Sequence, residues 1–188
     1  MSLKQITAPA SEPLTLNQVK LDRKLVLSET DEDDLLTTLI AAAREMAEAT
    51  LNRQLVEATY RLTLGCFPSK VVLPMSPLIA LTDVKYLDVN DAEQTLDSAE
   101  YEVDTDADPA VIHFTGTIPT LSTKINRVSI TFTAGYTNTD PVNPIPSVII
   151  KAMLLMIGHW YENREDSVRK MPTAAEWLLQ DKRIITFA

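Results

Sequence analysis

One stretch constrains the fold more than any other: Pro146 to Arg164, a run that reads as a long apolar helix ending in aromatic and charged residues. Pro146 suits a first helical turn, because its missing N–H has no intrahelical partner there, and Ser147 keeps the entry polar. Two adjacent rows at helical spacing are apolar, Ile149/Met153/Met156/Trp160 and Ile150/Leu154/Ile157/Tyr161. Together they make a stripe wider than a single contact surface needs, so the helix is expected at the centre of a helical block. Gly158 costs about 1 kcal/mol against alanine in a helix interior. Its place beside Trp160 and Tyr161 predicts that another backbone passes close by.

A second helical block is predicted near the start of the chain. Met1 to Pro13 shows no period and reads as an extended arm. Thr15 and Gln18 then form a capping box, with Leu14 and Val19 placed as its hydrophobic staple, opening a short helix to about Leu25. Thr30, followed by Asp31, Glu32, Asp33 and Asp34, marks a further helix start, since negative charge suits the positive end of a helix dipole. In that helix Leu36/Ile40/Ala43/Ala47 and Leu35/Leu39/Met46 give a stripe with several small residues, on which the Pro146 helix can approach closely.

From about Ala58 the period changes to two. Tyr60, Leu62 and Leu64 alternate with Thr59, Arg61 and Thr63. Further strands are read at Val71 to Leu73, Leu81 to Val89, Thr95–Leu96, Tyr101/Val103, Val111 to Phe114 and Val128/Ile130/Phe132. The fold class is therefore α+β: a helical core built from the N- and C-terminal helices, with a small antiparallel sheet inserted. A single domain over 1–188 is expected, with helices in 14–55, the β insertion in 58–136 and helices in 146–180. In the last of these, Trp177 and Leu178 are expected to join the core, and the tail from Ile184 to Phe187 is apolar enough to pair with a neighbour's sheet edge.

Chemistry is hard to find. The net charge of −9 opposes wrapping by nucleic acid, whose backbone is held by lysine and arginine. The apolar run Val148 to Ile157 is interrupted by Lys151 and is too short for a membrane span of roughly 20 residues. The N-terminus lacks the apolar core of a signal peptide, so synthesis and retention in a bacterial host cytoplasm are expected. The lone Cys66 excludes an internal disulfide and reads as a small buried hydrophobe beside Phe67. His159 and Glu162 are three apart on a helix, but the other histidine is on a predicted strand, so no metal site is expected. There is no Gly-x-Ser-x-Gly elbow, and the four glycines are too far apart to cradle phosphate. No catalytic, cofactor-binding or metal residues are assigned. Trp160, Tyr161 and Arg164 are residue types enriched at interface hot spots and are the candidate protein interface, with packing in the monomer core as the simpler role for Trp160.

The stretches Glu12 to Leu16, Asp31 to Leu36, Ala41 to Glu48 and His159 to Glu165 resemble, in the same order, the head-tail connector family of tailed bacteriophages and prophages. That resemblance implies a non-enzymatic structural protein of the virion, located at the head-tail junction. It implies docking beneath the portal ring after DNA packaging and a joint to the tail or next adaptor protein. It also implies assembly as a ring of about a dozen copies, through whose lumen DNA passes without specific binding. No catalytic residue is carried over. The alternative from another class is a small-molecule-binding or enzymatic α+β module, which needs a convergent polar pocket with perturbed titratable groups.

Overall fold

The computed structural model describes residues 1–137, 144–163 and 171–184. These fall into two compact units, one formed by Met1–Ala10 with Glu57–Tyr136 and the other by Ser11–Val56 with Thr137–Ala188. The α+β class read from the sequence holds.

The first unit is all β apart from one 3-10 turn at Ser98–Glu100. Its strands are β1 (Ser2–Thr7), β2 (Ala58–Leu64), β3 (Lys70–Val72), β4 (Leu78–Leu87), β5 (Glu93–Thr95), β6 (Tyr101–Asp104), β7 (Val111–Phe114) and β8 (Val128–Ala134). They form two sheets rather than the one expected: β1-β2-β8-β4-β5 and β3-β7-β6, every pairing antiparallel. The period-two pattern does its work in β2 and β8, where Tyr60 faces Phe132 and Leu62 faces Ile130 across the ladder. Both strands bury every second residue, and Val84 from β4 and Val71 and Ile112 from the smaller sheet enter the same core. The other face of the larger sheet carries Arg61, Thr131 and Thr133, as alternation requires.

The N-terminal segment departs from expectation. Ser2–Thr7 is an edge strand on β2 with a register shift between Gln5 and Thr7, not a free arm. Backbone pairing holds it, and only Leu3 carries an apolar side chain packed against the core. Cys66 is exposed, correcting the buried role expected of it.

The second unit is helical: α1 (Leu16–Asp22), α2 (Asp33–Leu51), α3 (Ser147–Glu162) and α4 (Thr173–Gln180). The capping box at α1 is formed, with the Thr15 hydroxyl accepting from the Gln18 amide and the Gln18 side chain accepting from the Thr15 amide at 2.8 Å. Leu14 and Val19 are both buried. At α2 the cap residue is Glu32, without a side-chain cap bond, so Thr30 does not have the role predicted for it. Asp33 and Asp34 still occupy the first turn, where their charge suits the helix dipole. Leu36, Ile40, Ala43 and Ala47 are all buried, while the second predicted row is not: Leu35 is exposed and Leu39 and Met46 are half-buried. α3 packs against α2 and α4, with Ile149, Met153, Met156 and Trp160 buried. Its second row is half-buried except for Ile157.

α4 corrects a prediction. Ala175 and Leu179 face inward, leaving Trp177 70% exposed and Leu178 half-buried. Two residues along a helix turn the side chain by roughly 200°, so a core made by Ala175 and Leu179 puts Trp177 outside.

Candidate functional site

The end of α3 gathers side chains from three helices. Trp160 is 9% exposed. The Tyr161 hydroxyl donates to the carboxylate of Glu32, joining the end of α3 to the start of α2. Arg164 lies outside the described residues, as do Ile185 to Phe187 of the tail expected to pair with a sheet edge. His159 is half-buried, and its Nδ1 is 3.3 Å from the Asn163 amide nitrogen. Glu162, the neighbour that spacing suggested for it, instead accepts from Arg23 at 3.3 Å.

Arg23 explains Gly158. Its guanidinium bonds Asp22 at 2.6 Å and lies directly over the glycine, so that a Cβ added at 158 would be 2.6 Å from Cζ. A side chain, not a passing backbone, claims the space. Because the obstacle is the far end of a flexible chain, Gly158→Ala is expected to displace Arg23 at little net cost. In an Arg23→Ala background the same change should stabilise by about 1 kcal/mol, the ordinary helix preference of alanine over glycine. A chemical-denaturation cycle of the four proteins checks this, and an equal cost in both backgrounds contradicts it.

A second cluster ties the start of this unit to the middle of α2. Arg44 donates to Glu12 and to Glu48, each at 2.9 Å. Glu48 also accepts from the Gln54 side chain at 2.8 Å and from the Leu55 amide at 2.9 Å. Burial pushes the Glu48 carboxyl above its ordinary range, and the Leu55 amide and Arg44 only partly offset it. For Arg44 burial acts to lower the pKa, and the bonds and charges of Glu12 and Glu48 outweigh it, raising the value. Glu12, Arg44 and Glu48 belong to the stretches that carry the connector resemblance, yet nothing in their spacing gave the pairing.

The named acids in the two clusters are each engaged by a cation, a hydroxyl or an amide. Among the described residues no group of three or more histidine, cysteine, aspartate or glutamate side chains is disposed to hold a metal ion, and no helix is long and apolar enough to cross a membrane. The polar residues of the two clusters join helices to one another and to the segments that flank them.

Comparison with known proteins places that fold. The sequence matches no protein-family model and has no significant match among curated proteins. Its structure is similar along its whole length to chains from gene transfer agent particles. It superposes with a TM-score of 0.81 and 24% identity on a chain from the neck of the empty particle, solved with C6 symmetry, covering 100% of this chain and 98% of that one. A chain of the native gene transfer agent virion gives 0.81 at 23% identity and the same coverage. A chain from the neck of the native particle, solved with C12 symmetry, gives 0.73 at 22%. The fold is thus one found in the neck of phage-like particles.

Proposed function

We propose that this chain is a structural component of the neck of a bacteriophage or prophage-derived particle, a head-tail connector rather than an enzyme. The observation that carries the reading is the full-length likeness to neck chains, a TM-score of 0.81 with both chains covered almost completely. The resemblance to phage connectors read from Glu12 to Leu16, Ala41 to Glu48 and His159 onward supports it independently. In this reading the protein acts through shape. Copies form a ring, for which the C6 and C12 symmetry of the neighbours' necks is the support. The ring docks beneath the portal protein on one side and meets the tail or next adaptor protein on the other. A net charge of −9 lets DNA pass the lumen without adhering. Trp160, Tyr161 and Arg164 remain the proposed contact, with Tyr161 held by the bond to Glu32.

The test is deletion of the gene from the prophage or phage that encodes it, followed by imaging of the particles. DNA-filled heads without tails, restored by the gene in trans, are expected, with density for a ring of this chain in the restored neck. Normal tailed particles from the deletion strain overturn the reading.

A further inference from the structure

A ring closed by one repeated contact needs two different, complementary surfaces on every copy. The helical unit exposes two, at opposite ends of α2. That helix has 19 residues and so is roughly 28 Å long.

At its N-terminal end the α1–α2 connection forms a concavity of about 260 Å³ lined by Leu25, Val26 and Leu36 together with the charged Lys20, Glu29, Asp31, Glu32 and Asp33. This is smaller than a drug-sized ligand site and suits a single side chain. Beside it Leu21, Val26 and Leu27 are 63%, 54% and 47% exposed, an apolar patch with no described cover. Buried Lys20 ties the connection to the start of α2, bonding the Glu29 carbonyl and Asp33, each at 2.5 Å. Its charge is negative. Glu29, Asp31, Glu32, Asp33 and Asp34 stand there against Lys20 and Lys24, and only Asp33 and Asp34 lie in the first turn of α2.

At the other end, α4 and the turn after it lie beside the C-terminus of α2. The Ile184 amide donates to the Leu51 carbonyl at 2.9 Å and Arg53 donates to the Lys182 carbonyl at 2.8 Å. This end exposes Trp177 and carries Arg53, Lys182 and Arg183 against Glu176 and Asp181. Among the described residues its balance is positive by a single charge.

We infer that Trp177 of one copy seats in the α1–α2 concavity of the next copy, with Lys182 and Arg183 facing the acidic rim around Glu29 and Asp31. The indole body covers Leu25 and Val26, and its N–H donates to a rim carboxylate. A large exposed aromatic covering apolar side chains inside a polar rim is the form that interface hot spots take. The opposite charges at the two ends of α2 give the contact a direction, so that copies add head to tail and do not pair face to face. This inference rests on the ring proposed above.

Incorporation into particles tests it, together with Glu29→Cys plus Lys182→Cys in a Cys66→Ser background, a pair that leaves Trp177 in place. Trp177→Ala should leave the melting temperature of the isolated protein unchanged and lower incorporation at least tenfold. Asp31→Arg should lower it similarly, and adding Arg183→Asp should restore it. The double-cysteine protein should give a disulfide ladder of this chain on oxidation of assembled particles. If wild-type particles contain no ring of this chain, the neck reading itself fails. If they contain the ring but the two thiols do not couple, or couple to another protein, or Trp177→Ala incorporates normally, only the docking contact is overturned.

Discussion

Phe132→Ala is expected to lower the unfolding free energy of the β unit by about 4 kcal/mol, the range found when a phenylalanine is deleted from a closed core. Phe132 is fully buried at the middle of β8, the central strand of the larger sheet, paired with Tyr60 on one side and Leu81 on the other. Its ring stacks on that of Tyr60, with centroids 5.9 Å apart and planes 27° apart. Removing it therefore opens a cavity bounded by two strands that are themselves tied by ladder bonds and cannot close in. Phe132→Leu keeps most of the volume and should cost about 1 kcal/mol. Thr131 is the neighbour on the opposite face, and Thr131→Val should change stability by less than about 0.5 kcal/mol. Urea unfolding followed by circular dichroism compares the three. A Thr131 change as costly as Phe132→Ala would mean that β8 is shifted by one residue, since such a slip exchanges the two faces.

That strand was legible because its signal is local. Val128, Ile130 and Phe132 alternate with polar residues, and β2 alternates in the same way, so burial followed from the pattern alone. The capping box at Thr15 was legible for the same reason, since donor and acceptor are three residues apart. What the sequence hid is pairing at long range. β1 has one apolar anchor, Leu3, and is held by backbone bonds to β2 nearly sixty residues later, which leave no mark on side-chain composition. The division into two sheets depends on which strands meet, and alternation says only which face of each is buried. Gly158 announced a close approach but not its source, because Arg23 lies 135 positions earlier in the chain. Trp177 was misplaced by its size. A helix of eight residues has room for one inward row, and Ala175 and Leu179 fill it.

The candidate site follows the same division. Trp160 and Tyr161 stood out by residue type, and the structure adds that Tyr161 is bonded to Glu32, a residue noticed only as a capping acid. Trp177, with the largest exposed aromatic surface of the described residues, was passed over because apolar residues near a helix end are usually core. Its exposure is visible only once the inward row of α4 is known.

Glu48→Ala should cost the helical unit about 3 kcal/mol, while Glu48→Gln should cost about 1 kcal/mol at neutral pH. The carboxylate is 15% exposed and accepts from the Leu55 amide, the Gln54 side chain and Arg44, and the Val56 amide also favours its charged form. Alanine leaves these donors without it in a place where water enters poorly. Glutamine keeps the oxygen that Leu55 and Gln54 use but sets an N–H donor in place of the oxygen that accepts from Arg44, so that one bond and the charge are lost while Arg44 still holds Glu12 at 2.9 Å. The acceptor therefore matters more than the charge. The direction of the Glu48 pKa makes this testable by pH. Because burial raises it in the folded protein, the folded state binds the proton more tightly than the unfolded chain. The stability associated with that proton is complete below the unfolded value and is lost as pH rises through the folded one. Glutamine cannot titrate, so the wild type falls relative to Glu48→Gln across this window, and the cost of the substitution shrinks on going from acid to neutral pH. Asp88 and Asp91 have lowered values and act in the opposite sense, losing their contribution as pH falls, but both are common to the two proteins and cancel in the comparison. Unfolding of wild type and both variants across the acid range decides the point. A cost for Glu48→Gln that grows with pH, or one equal to that of Glu48→Ala, would show that the ion pair with Arg44, and not the acceptor for Leu55 and Gln54, holds α2 to the segment that follows it.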